Sequence, residues 1–237
     1  MISDNIDAIR EKISRACARA GRSSSDVTLI AVAKTFSASA VREAVDAGVA
    51  DIGENYVQEL LGKRRDLSAS EVRWHFIGHL QSNKVKNVAG WVHMIHAVDS
   101  AALAIEIDRR ASKAGRVIEC LLEVNTTGEG TKFGVAPGDV TALVKSLAPC
   151  DNISLGGLMT IGPFLPDPEG SRPMFRRLRE LKGEIGSLAQ ANVAMRHLSM
   201  GMTGDFEVAI DEGATLIRIG TAIFGPRARA DHQRRNP

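Results

Sequence analysis

The stretch "VTLIAVAKTFSAS" (residues 27–39) decides between two architectures. It runs as an apolar, β-rich segment, places a lysine (Lys34) at its end, and then turns into a helix near residue 38. An open, doubly wound sheet would more often carry Gly-x-Gly-x-x-Gly after its first strand, where a dinucleotide sits on the helix that follows. This turn holds no glycine at all. The expected architecture is therefore a closed (β/α)8 barrel.

The rest of the chain repeats the same alternation. Further β-rich runs fall at 49–55, 73–78, 92–98, 117–125, 155–161, 195–201 and 215–221. Helix-like segments separate them at about 38–47, 56–67, 82–89, 100–114, 138–147, 170–190 and 205–212. Strands alternating with helices imply a parallel sheet. Ahead of the first strand, Ile2, Ile6, Ile9 and Ile13 recur at helical spacing. Ser3 or Asp4 is placed to cap this extra helix and Gly21 to end it. The stretch "GPFLPDPEGSRP" (162–173) is expected to be a surface loop after the sixth strand. With no linker-like composition, residues 1–237 are expected to form a single domain. It comprises an N-terminal helix over 1–21, a barrel over about 27–225 and a flexible tail over 226–237.

Composition excludes several classes. A 44% hydrophobic chain has the apolar material for a barrel core. A net charge of +2 is too small for a nucleic-acid protein. Three scattered cysteines (Cys17, Cys120, Cys150) fit reduced thiols in a cytoplasmic protein. The start "MISDNIDAIR" lacks the apolar core of a signal peptide, and no run is long enough to span a membrane. Without a sustained exposed apolar stripe, the expected state is a monomer.

Chemistry in a barrel of this kind gathers where the strands end. Lys34 ends the first strand, and a lysine among apolar walls has its free amine made more accessible, as Schiff-base chemistry requires. Ser199, Gly201, Thr203 and Gly204 stand just before a helix that begins near Asp205, and Gly220 and Thr221 end the eighth strand. Glycines and hydroxyls in those two places suit a phosphate. Arg218 interrupts a strand that should be buried. Two accounts are open for it: a salt bridge to Glu54 or Glu123, or contact with a bound ligand. Glu54, Asn55 and Tyr56 follow the second strand. His75 and His79 are separated by about 13 Å on an extended strand and cannot chelate one ion as a helical pair would. His93 and His96, three apart, are expected on opposite faces of theirs. No metal site is expected.

The blocks "AVAKT", "DIGENYVQE", "WHFIGHLQSNK", "EVNTTGEGTKFG", "GLMTI", "LSMGMTGDFEVAI" and "GATLIRIGTAIFG" together resemble the pyridoxal phosphate homeostasis protein family, over about residues 27–225. The resemblance implies a fold-type III pyridoxal 5′-phosphate (PLP) protein, similar to the amino-terminal barrel of alanine racemase. Lys34 would carry the cofactor as an internal aldimine. Ser199, Gly201, Gly220, Thr221 and the main chain of Met200 would hold the phosphate. Arg218 would face the pyridine nitrogen and Asn55 would lie against the ring. The family often follows its lysine with another lysine and a proline, whereas this chain has "KTFSAS", which puts any role of that second lysine in doubt. Lys132 is a further family-like lysine with two readings, structural or in contact with PLP during transfer.

An arginine at the ring nitrogen disfavours its protonation and so weakens the ring as an electron sink. The lone tyrosine, Tyr56, is not the catalytic tyrosine that a racemase receives with a second domain. The expected function is therefore PLP homeostasis: holding PLP and supplying or buffering it, with apo PLP-dependent enzymes as partners and little or no catalysis. The alternatives are a racemase-like PLP enzyme and a cofactor-free Schiff-base aldolase.

Overall fold

The computed structural model describes residues 1–68, 70–128, 133–163, 165–188 and 190–226. Lys132 and the basic tail beyond 226 lie outside the described residues. Eight parallel strands close into a barrel in chain order. They are β1 (Thr28–Val32), β2 (Asp51–Glu54), β3 (Arg73–Phe76), β4 (Met94–Val98), β5 (Ile118–Glu123), β6 (Ile153–Met159), β7 (Val193–Ser199) and β8 (Leu216–Ile219). The helices around them are α1 (Ile2–Arg19), α2 (Ala38–Asp46), α3 (Val57–Asp66), α4 (Ala101–Lys113), α5 (Val140–Ser146), α6 (Arg172–Gly186), α7 (Phe206–Asp211) and α8 (Thr221–Phe224). A 3-10 helix over Ser82–Asn87 stands where a helix follows β3.

Strand alternation sorts the side chains into two cores. Ile217 and Ile219 of β8 join the large core between strands and helices, while Leu216 joins a smaller cluster inside the barrel with Ile30, Met94, Ala97, Leu121 and Met159. Arg218 lies in register with Ile30 of β1, on the inward side. Burying an inward Ile or Leu contributes roughly 1.5–3 kcal/mol each. The inward polar groups need partners instead, and those partners build the site.

The extra helix α1 buries Ile6, Ile9, Ile13, Ala16 and Cys17 and packs on α2, α7 and α8. It starts at Ile2, so Ser3 and Asp4 lie inside its first turn; Asp4 caps from there, accepting from the Met1 amino group at 2.9 Å, and Ser3 does not. There the Asp4 carboxylate complements the helix dipole. Ser37 and Ser100 cap α2 and α4, accepting from Ala40 N at 3.3 Å and Leu103 N at 3.4 Å. The loop expected over 162–173 is shorter: Asp167 caps a 3-10 turn over Pro168–Ser171, and α6 begins at Arg172 with Pro173 in its first turn. Among the described residues, no helix is long and apolar enough to cross a membrane.

Candidate functional site

Lys34 follows the end of β1, half-buried, and the backbone on both sides of it is tied down. The Lys63 ammonium of α3 donates to the Ala33 carbonyl at 2.6 Å. Thr35 N donates to Glu59 Oε2 at 2.8 Å, and Glu59 in turn pairs with Lys63 at 3.0 Å. Lys63 also makes a short contact with the fully buried Glu54. Burial raises the Glu54 carboxyl while Lys63 opposes that rise. Thr35 has φ +70°, a left-handed conformation that non-glycine residues seldom adopt. The chain leaves Lys34 through this turn before entering α2.

Asn55 follows β2. Its Oδ1 is buried and has no hydrogen-bond partner among the described residues. Beneath it lies Gly78, where an added Cβ would meet the Asn55 carbonyl oxygen at 2.5 Å and its Cα at 2.7 Å. Only glycine lets the two loops approach this closely. Tyr56, next in the chain, is 55% exposed and stands at the N-cap of α3.

After β7 the chain turns at Gly201 (φ +91°), where an added Cβ would meet Ala209 Cβ at 2.6 Å. Asp205 pins the loop, accepting from Met202 N at 2.7 Å and from Ser171 Oγ at 3.0 Å. Thr203 and Thr221 touch through their hydroxyls at 3.3 Å, which joins the β7 and β8 loops.

Arg218 lies inside the barrel. It donates to Ser199 Oγ at 2.6 Å and to the Thr160 carbonyl at 2.8 Å. Burial lowers its pKa to about 10, against the opposing pull of Glu123 and Asp205, so it stays charged at neutral pH. Neither expected salt bridge forms, because Glu54 is taken by Lys63 and Arg218 meets neutral acceptors. Glu123 is close enough to feel its charge, yet burial pushes the Glu123 carboxyl up to about 7.

A cavity of about 290 Å³ brings these groups together at the strand ends, near the small end of ligand pockets. Lys34, Asn55, Arg218, Gly220 and Thr221 line it, with Thr203 and Gly204 beside them. Val32, Ile77, Ile161 and Met202 supply apolar wall. Ser199 and Met200 do not line it: both are fully buried, and Met200 N is used by the Leu216 carbonyl at 3.1 Å. Gly201 shapes the loop from behind. A larger concavity of about 450 Å³ opens at the amino ends of the strands, beside Arg10, Asp51 and Arg73. Barrels of this class place chemistry at the opposite end, where the lysine is.

The histidines differ from expectation. The rings of His93 and His96 both abut His75, at 5.2 Å and 5.1 Å between centroids. Alternation fails here because His93 precedes β4 and the pairing of β4 shifts between Ile95 and Val98. His79 lies outside this group and stacks on Phe133 at 4.0 Å. Among the described residues, no group of three or more His, Cys, Asp or Glu could hold a metal ion. Sequence reasoning missed Lys63, Gly78 and the role of His75 and His96. The available signals were a lysine on the inner side of α3 and the glycine that follows β3.

Residues 5–228 match the family model described as alanine racemase, N-terminal domain. The chain is 46% identical over 224 residues to the pyridoxal phosphate homeostasis protein of Aquifex aeolicus, covering 94% of this chain and 97% of that one. It is 38% identical to the protein of that name from Escherichia coli K12, over 95% of this chain and 97% of that one. The structure of PipY from Synechococcus elongatus with PLP bound superposes with a TM-score of 0.83 at 33% identity, covering 95% of this chain and all (100%) of that one. An alanine racemase from Clostridium difficile shares the fold alone, with a TM-score of 0.73 at 14% identity over 96% of this chain and 58% of that one. The chain belongs to the pyridoxal phosphate homeostasis protein family, whose barrel is that of the alanine racemase N-terminal domain.

Proposed function

We propose that this chain binds PLP in the mouth cavity and serves PLP homeostasis, holding the cofactor through Lys34 and supplying or buffering it with little or no turnover of amino acids. The observation that carries the reading is the convergence of Lys34, Arg218 and the two glycine/threonine loops on one cavity. Its residues fit the group. Thr203, Gly204, Gly220 and Thr221 offer hydroxyls and close main-chain approach to a phosphate. The buried Asn55 Oδ1 is an acceptor awaiting a donor. Apolar side chains suit the faces of an aromatic ring.

When bound, PLP supplies an aldehyde that condenses with a primary amine and a ring that withdraws electrons once its nitrogen is protonated. Lys34 supplies the amine, and the Lys63–Glu59 clamp fixes where that amine emerges. Arg218, charged and held by two neutral acceptors, disfavours a second positive charge beside it. That suits storage better than carbanion chemistry. The near full-length match to relatives carrying the homeostasis name supports the same reading. Delivery to apo PLP-dependent enzymes, a monomeric state and a cytoplasmic setting belong to the proposal.

The test is absorption spectroscopy of the purified chain with PLP, followed by borohydride reduction and peptide mass mapping. A violet band and a pyridoxyl group on Lys34 are expected, with no D-alanine formed from added L-alanine. Adducts scattered over surface lysines would overturn the site. Racemisation at an enzymic rate would favour the racemase-like alternative, and absence of any band would favour a cofactor-free aldolase.

A further inference from the structure

Five buried side chains form one hydrogen-bonded file through the barrel. Asp51 Oδ1 lies 2.9 Å from His75 Nε2. His75 Nδ1 lies 2.9 Å from His96 Nε2, and His96 Nδ1 lies 2.9 Å from Ser199 Oγ. Arg218 Nη1 closes the file at 2.6 Å from the same oxygen. One end borders the cavity at the amino face and the other borders the mouth.

The hydrogen positions follow from what each group can do. Asp51 is ionised: burial raises its pKa, but hydrogen bonds from His75 and Arg73 outweigh that and hold it at about 2. Asp51 therefore accepts, and His75 Nε2 carries a hydrogen. Nδ1 of a neutral His75 then accepts from His96, whose Nε2 carries the next hydrogen. Nδ1 of His96 accepts in turn, and the only hydrogen that can meet it is that of the Ser199 hydroxyl. The Ser199 oxygen is left to accept from Arg218, which can only donate.

Two other arrangements satisfy the distances: an imidazolium at His75, which reverses every bond up to Ser199, and an imidazolium at His96, which reverses only the bond to Ser199. Either would bury a second cation in a file that already holds Arg218, while Asp51 is shared with Arg73. His75 faces His93, His96 and the anionic Asp51, whereas His96 faces His75, Arg218, His197 and His93, none of them anionic. Burial and those neighbours hold His96 well below the usual histidine range.

We propose that His75 and His96 are positioning residues for Arg218: as neutral Nε2–H tautomers they draw the Ser199 hydrogen inward and present the Ser199 oxygen to the guanidinium as a fixed acceptor. The inference deepens the PLP reading and rests on it for the ligand at the mouth. It also assigns phosphate donation to Thr203 and Thr221 rather than to Ser199, whose only hydrogen is committed inside the barrel.

Nitrogen-15 NMR of the histidine rings in the ligand-free chain reads the tautomers directly, whether or not PLP binds. Both rings are expected to carry their hydrogen on Nε2. In Asp51→Leu, which removes the acceptor that sets the direction of the file, the His75 and His96 hydrogens should redistribute between the ring nitrogens, which a merely structural role would not cause. His96→Leu should weaken PLP binding about tenfold, while His96→Gln, able to donate and accept at once, should restore most of it. Ser199→Ala should leave binding of inorganic phosphate unchanged. A hydrogen on His96 Nδ1, an imidazolium at either ring, or an Asp51→Leu variant with unmoved His75 and His96 hydrogens would overturn the proposal. Correct tautomers in a chain that fails to bind PLP would instead count against the ligand reading alone.

Discussion

Lys63 Nζ donates to the Ala33 carbonyl at 2.6 Å, one residue before Lys34, and the same ammonium is the buried counterion of Glu54. Removing it would leave a carboxylate inside the protein without its cation. Such losses run to about 3 kcal/mol, far more than a surface pair contributes. Lys63→Met is therefore expected to lower the unfolding free energy by about that amount in urea titration at pH 7. Adding Glu54→Gln should recover part of the loss, because the stranded charge is gone. A single-variant loss within about 0.5 kcal/mol would show that the clamp is incidental.

The barrel was legible because its signals are local and repeated. Eight apolar runs separated by seven helix-like segments leave few alternatives once the first turn lacks glycine. Every expected run but the fourth extends one or two residues past its strand; β6 and β7, for example, end at Met159 and Ser199. Beyond those residues the expected strand segments are already mouth loop, a change set by barrel geometry and not by residue type. Lys34, Arg218, Gly220 and Thr221 were visible because a lysine at a strand exit, an arginine within a strand and paired glycines are unusual locally. Ser199 and Met200 illustrate the opposite case. Family resemblance assigned them to the phosphate, but the side chain of Ser199 faces inward to partners on β4 and β8, which sequence spacing does not reveal. The clamp on Lys34 depends on contacts across about 30 residues, so no pattern in the β1 stretch could announce it.

Glu123 makes stability depend on pH in an unusual direction. Burial raises its carboxyl from the ordinary 4.5 to about 7. The folded chain thus holds a proton that the unfolded chain releases between those values. Its contribution is fully favourable below about 4.5 and is lost as pH rises toward 7, levelling above it. Glu123→Gln cannot ionise, so it should exceed the parent in stability at pH 8 by up to about 3 kcal/mol and match it near pH 4. Thermal unfolding of both proteins at the two pH values checks this. Equal differences at both would place the proton elsewhere.

Gly78 and Gly62 give a matched contrast. A Cβ at Gly78 would strike the backbone of Asn55 at 2.5 Å, and backbone cannot swing aside. Gly78→Ala should cost about 1–3 kcal/mol and displace Asn55, weakening PLP binding at least about tenfold. Gly62 lies within α3 with open space around it. Gly62→Ala should stabilise by about 0.5–1 kcal/mol and leave binding intact. Urea titration and PLP fluorescence titration of both variants separate the two effects.

Lys34→Ala separates covalent attachment from phosphate recognition. The two functions sit on different strands: Lys34 follows β1, whereas Thr203 and Thr221 follow β7 and β8 and touch each other at 3.3 Å. Removing the amine should abolish the borohydride-trapped pyridoxyl group and the violet band together. Loop geometry should survive, because the Lys63 and Glu59 contacts are to the main chain of Ala33 and Thr35 and do not use the Lys34 side chain. The variant should therefore still bind inorganic phosphate with the affinity of the parent. Thr203→Val with Thr221→Val should do the reverse, losing phosphate affinity about tenfold or more while a slow adduct still forms on Lys34 at high PLP. Calorimetric titration with phosphate and mass spectrometry after reduction read the two arms independently. If Lys34→Ala also lost phosphate, the lysine would itself be a phosphate ligand. The aldehyde would then have to be held by some other amine.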